Sequence, residues 1–89
     1  MKTMAWDSEA WRAFVRAFAP MPPFIKRRAM KKMAERVEHS ARGREADSAG
    51  LSDVYIGCVE VLSNKDPFML ESLLAALRDE GYEFGQEGE

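Results

Sequence analysis

Lys26, Arg27, Arg28, Lys31 and Lys32 put five cations into seven residues, behind the proline-rich lead Pro20-Met-Pro-Pro. Cations in that pattern suit one kind of chemistry, the holding of carboxylates or phosphates by charge-assisted hydrogen bonds. Other chemistry is thin. One histidine, His39, and one cysteine, Cys58, do not make a zinc site within one chain. A nucleophilic cysteine needs an activating base or cation, and the sequence puts none beside Cys58. His39 projects onto a charged helix face with Arg28 and Glu35 and reads as a surface histidine. There is no phosphate-cradling glycine loop and no Ser/His/Asp arrangement. The carboxylates read as scattered over solvent faces, not paired for acid–base work. The chain therefore reads as a non-enzyme with no cofactor or metal of its own.

The element that must carry the cations is a long amphipathic helix. Pro23 suits the first helical position. At 100° per residue, Ala29, Met30, Met33, Ala34, Val37 and Ala41 gather on one face. Arg27, Arg28, Lys31, Lys32, Glu35, Glu38 and Arg42 gather on the other. Lys26 falls inside the apolar arc, so it must snorkel past the helix end or meet a carboxylate. Lys26, Arg27 and Arg28 also crowd the helix start, where cations oppose the macrodipole. Gly43 suits the helix C-cap, and residues 43–50 read as a polar loop.

The remaining elements follow from caps and periodicity. Asp7 reads as an N-cap, with Trp6 and Trp11 at the spacing of a hydrophobic staple. Trp11, Phe14, Val15 and Phe18 form an apolar stripe, and Pro20 ends the helix at Ala19. Ser52 reads as the N-cap of a third helix. The run Val54-Tyr-Ile-Gly-Cys-Val-Glu-Val-Leu62 also favours a strand, but no second strand is evident to pair with it. Ser63-Asn-Lys65 reads as a turn, Asp66-Pro67 as a helix start, and Gly81 as its C-terminal stop. Met69, Leu70, Leu73, Leu74 and Leu77 make the fourth stripe, and Tyr82 and Phe84 can fold back on the helices. The spacing predicts an all-α bundle of about four helices, at roughly 7–19, 23–42, 52–62 and 66–80.

The 89 residues fit one small domain, 1–89. The net charge of −2 hides a split. Residues 20–44 hold eight basic and two acidic side chains, and residues 45–89 hold two basic and eleven acidic. The acidic half can fold against the basic helix and neutralise it, or the helix can stay free to bind an anionic partner. No apolar run reaches the ~20 residues of a membrane span. The N-terminus lacks the apolar core of a secretory signal. A single cysteine fits a reducing cytoplasm.

Trp6, Glu9 and Ala10 on a short first helix are followed by Pro23-Phe24-Ile25-Lys26, a basic helix, a loop and the Leu51-Ser52 helix start. This order resembles the small helical domain at the C-terminus of the light-independent protochlorophyllide reductase B subunit. The likeness covers residues 6–62; residues 63–89 add a helix and an acidic tail. Lys26 stands at the family's Arg position, and the family's Ile-Glu pair falls on Met33-Ala34, so its Glu is absent or displaced to Glu35. The loop after the second helix is several residues longer than the family's. The resemblance implies a compact helical domain that packs beside a tetrapyrrole site, while the iron–sulfur ligands and the reduction belong to other domains.

The expected function is a binding or docking module. Pro23, Phe24, Lys26, Arg27, Arg28, Lys31 and Lys32 are its candidate contact residues. Its partner is a protein, a nitrogenase-like complex by the resemblance, or an anionic cofactor such as a tetrapyrrole. The alternative is a nucleic-acid-binding domain using helix 23–42, which the overall acidity opposes. A homodimer is compatible with either, and no membrane association is expected.

Overall fold

The computed structural model describes residues 2–84. Four helices follow in order: α1 (Ser8–Ala17), α2 (Pro23–Gly43), α3 (Leu51–Lys65) and α4 (Pro67–Asp79). The all-α bundle expected from periodicity is the fold observed. α3 packs on each of the other three helices, α1 packs on α4, and α2 packs on α3. The Cα radius of gyration, 11.9 Å, matches the ~12 Å of a close-packed chain of this length.

Local chemistry explains most helix ends. The Asp66 carboxylate accepts from the Met69 amide at 3.1 Å, capping α4 with Pro67 at its first position. Gly81, at φ +92°, ends α4: Gly81 N–H donates to the Arg78 carbonyl and Tyr82 N–H to the Leu77 carbonyl, both at 3.0 Å. The Trp6 and Trp11 rings meet edge-on with centroids 5.2 Å apart, so the staple forms. Tyr82 and Phe84 do fold back, their rings meeting each other edge-on and Tyr55 of α3 tilted and edge-on.

Several expectations are corrected. α1 ends at Ala17, because turn bonds take over at Phe18 before the proline is reached. Its buried face is Ala10, Ala13, Phe14, Ala17 and Phe18, and Val15 is exposed. The alanines obey the same helical spacing as the aromatic stripe and allow α4 close in. Ser72 Oγ of α4 reaches the Ala17 carbonyl at 3.0 Å. α2 takes in Gly43 as its last residue, and the left-handed residue is Glu45 at φ 56°. There Ala46 N–H donates to the Ala41 carbonyl at 2.9 Å and Glu45 N–H to the Arg42 carbonyl at 3.0 Å. α3 starts at Leu51 with Gly50 as N-cap, not Ser52, because the Asp53 carboxylate turns back to the Gly50 amide at 2.9 Å. α3 also takes in Ser63-Asn64-Lys65, read as a turn.

The strand-favouring run 54–62 is helical, and Gly57 shows why helix wins. A Cβ at Gly57 would stand 2.7 Å from the Val37 backbone nitrogen. The glycine thus lets the α2 and α3 backbones approach closely, and burial of Val54, Cys58 and Leu62 outweighs β preference. Burying each large apolar side chain contributes about 1.5–3 kcal/mol. The loop before α3, expected to be irregular, pairs in parallel with the N-terminal segment, β1 (Ala5–Trp6) against β2 (Ser48–Ala49).

Two carboxylates read as solvent-facing are buried. Glu38 is 2% exposed and Asp53 fully buried. Glu38 accepts from the Thr3 amide at 2.9 Å and from Trp6 Nε1 at 2.8 Å, and also from the Thr3 hydroxyl. Asp53 accepts from Ser40 Oγ at 2.8 Å and Arg44 Nε at 3.0 Å. Both belong to the scaffold that fixes the N-terminus and the α2–α3 loop.

Candidate functional site

The site begins where α2 begins. Pro22 gives the helix no side-chain cap, Pro23 sets the first turn, and no acidic residue lies in that turn. The helix N-terminus is left electropositive. Phe24 is 80% exposed and Ile25 45% exposed. Shallow depressions of about 370 and 330 Å³ flank the Phe24 ring, bordered by Arg27 and by Ile25 with Arg28.

The helix gathers most of the candidate residues and separates one. Phe24, Arg27, Arg28 and Lys31 follow i, i+3, i+4, i+7 on an exposed face, with Lys32 beside them. Lys26 lies on the other side of the helix, half-buried. Among the described residues no carboxylate pairs with it. The five cations therefore do not share one face, whereas Arg27, Arg28, Lys31 and Lys32 do.

Among the described residues, no carboxylate of the acidic half forms an ion pair with that face, and three of them pair elsewhere. Glu80 takes Arg12 of α1 through two bonds at 2.9 and 3.2 Å, and Asp79 takes Arg16 at 2.7 Å. The hydrogen bonds and charge of Arg12 hold the Glu80 carboxyl below the usual carboxylate range. Arg44 is taken by Asp53, and Arg42 stands 3.9 Å from Glu38. Among the described residues, none of Arg27, Arg28, Lys31 and Lys32 has an ion-pair partner. Arg27 lies four residues before Lys31, and Arg28 four before Lys32. Each like-charge pair at that spacing costs a helix about 0.2–0.5 kcal/mol. Helix stability does not favour this arrangement.

Cys58, Glu38 and Asp53 are buried. Burial pushes the Cys58 thiol up to about 12, so it is no thiolate at neutral pH. For Glu38 and Asp53, burial opposes the charged form. Thr3 and Trp6 outweigh it at Glu38, and Arg44, the Gly50 amide and Ser40 at Asp53, so both carboxyls lie below their usual range. His39 is exposed. Among the described residues no trio of His, Cys, Asp or Glu is placed to hold a metal. Among the described residues no helix is long and apolar enough to cross a membrane.

Two features escaped the sequence reading. Lys65, assigned to a turn, sits on the last turn of α3 beside Lys32, at the edge of an apolar groove of about 250 Å³. Phe68, on the first turn of α4, is 69% exposed. The signal for Phe68 was present: α2 and α4 both open with Pro-Phe. Lys65 had none, because its place depends on how far α3 runs.

Compared with protein-family models, with curated proteins and with solved structures, the chain finds no match.

Proposed function

We propose that this chain is a non-catalytic docking module that holds an anionic partner on the first three turns of α2. The observation that carries this is the row Arg27, Arg28, Lys31 and Lys32, exposed and without carboxylate partners among the described residues, at a spacing that disfavours the helix. Phe24 and Ile25 add apolar contact at the same corner. A core of basic side chains around an exposed aromatic suits an acidic protein surface. The resemblance to the reductase B-subunit domain supplies the finer reading: the partner is a larger, nitrogenase-like complex, and a propionate-bearing tetrapyrrole is the small ligand. The lone buried Cys58 suits a cytoplasmic setting.

The test is affinity capture with the native chain and with Arg28→Glu/Lys31→Glu, with circular dichroism on both. Loss of the captured partner at unchanged helicity supports the docking role. Equal capture by both proteins removes it. A porphyrin absorbance titration of the same pair examines the ligand.

The unneutralised row of cations also favours a second reading, a helix that binds duplex phosphates. Binding to duplex DNA that falls steeply with salt supports it, and no shift at low salt removes it.

A further inference from the structure

The geometry points to the α2–α3 groove as the seat of an acidic amphipathic helix from a partner protein. The proposal rests on the docking role above and extends it to a surface the α2 corner does not include. The floor is apolar: Ala29 and Met33 of α2, Val61 and Leu62 of α3, with Phe18 and Met21 closing one end. A second depression continues it along α2 to Glu35 and Arg36, still lined by Met33 and Val61. From Ala29 to Arg36 the groove runs two helical turns. Its two depressions measure about 250 and 320 Å³, near the lower end of the ~300–1,000 Å³ of small-molecule sites. It accommodates apolar side chains presented at helical spacing, in the helix-in-groove manner.

Charge selects the occupant. Lys32 of α2 and Lys65 of α3 both line the two depressions, neither with an ion-pair partner among the described residues. Arg28 lies one turn before Lys32 on the same side of α2. Two carboxylates share the rim, and Asp66 is committed to the α4 cap. A second copy of this chain meeting the groove about a two-fold axis would bring Lys32 and Lys65 towards their own copies, which like-charge repulsion opposes. A flat anionic membrane would leave the concave floor unfilled. A helix with leucines on one face and glutamates on its flanks fits both the floor and the rim.

The test is an amide NMR titration of the full chain with a synthetic peptide of about 14 residues, leucine at i, i+3, i+4 and i+7 and glutamate elsewhere. A scrambled peptide of the same composition is the control. The expected result is saturable binding of the ordered peptide, with shifts at Ala29, Met33, Val61 and Leu62. Affinity should fall roughly tenfold in Lys32→Glu/Lys65→Glu. Equal binding of the scrambled peptide, or no saturation by about 1 mM, overturns the proposal. So does preference for phosphatidylserine vesicles, or a concentration-dependent dimer that occupies the groove. Shifts confined to Phe24–Lys31 overturn the groove alone and leave the docking role standing. Groove shifts combined with unchanged partner capture by Arg28→Glu/Lys31→Glu remove the α2 corner and leave the groove.

Discussion

Trp6 Nε1 donates to Glu38 Oε2 at 2.8 Å, tying the N-terminal segment to the middle of α2. The same carboxylate takes the Thr3 amide and hydroxyl. A carboxylate almost fully withdrawn from water is stable only because these donors surround it. Replacing Glu38 by Gln puts an NH₂ group among donors and leaves at least one of them unmet. The expected loss is about 1–3 kcal/mol, read from urea unfolding followed by tryptophan fluorescence.

The same two buried carboxylates set the pH response. Glu38 and Asp53 both have their folded carboxyls held below the ordinary range. The unfolded chain therefore binds more protons than the folded one as the solution is acidified. Their stabilisation is fully present above the unfolded carboxyl values near ~4 and is lost as pH falls through the folded values. Urea midpoints should be flat around neutrality and drop steeply on the acid side. Glu38→Gln should flatten part of that slope. An unchanged slope in Glu38→Gln would show that other groups carry it.

Gly57→Ala sets two principles against each other. Helix propensity alone predicts a gain of about 1 kcal/mol for alanine. The added Cβ, however, would stand 2.7 Å from the Val37 nitrogen and 2.8 Å from its Cα. Backbone cannot swing aside as a side chain end can, and overpacking of this kind costs about 1–3 kcal/mol. Arg36 Nε, bonded to the Gly57 carbonyl at 3.0 Å, further fixes the crossing. Thermal unfolding should show a net loss.

These cases show what was legible in the chain. Pro23, Asp66 and Gly81 act on residues within one turn of themselves, so their roles could be read directly. The Trp6–Trp11 staple is of the same kind. Glu38 could not be read, because its donors lie 32 and 35 residues away and helical projection put it beside Arg42 on a charged face. Asp53 depends on Arg44 and Ser40 across a loop in the same way. Gly43 was the obvious C-cap, yet α2 takes it in as its last residue and the left-handed position falls on Glu45. At the candidate site, the composition of the basic face was evident. Its lack of partners was not, because that depended on Glu80 and Asp79 turning to Arg12 and Arg16 instead.

Cys58 should be inert while the protein is folded. Its thiol is buried and held protonated, pushed up to about 12. Labelling by an aromatic disulfide reagent at neutral pH should be slow and should accelerate with urea in step with unfolding. Fast labelling of the native chain would contradict the burial assigned to it.

The docking role stands most directly on one variant with two readouts. Arg27→Glu/Arg28→Glu places a carboxylate four residues before Lys31 and another before Lys32. That exchanges two repulsive pairs for two attractive ones, each worth about 0.2–0.5 kcal/mol to the helix. If the basic face serves a partner and not the fold, the thermal midpoint should stay level or rise while capture of the partner falls at least about tenfold. A lowered midpoint, or capture equal to that of the native chain, would contradict it.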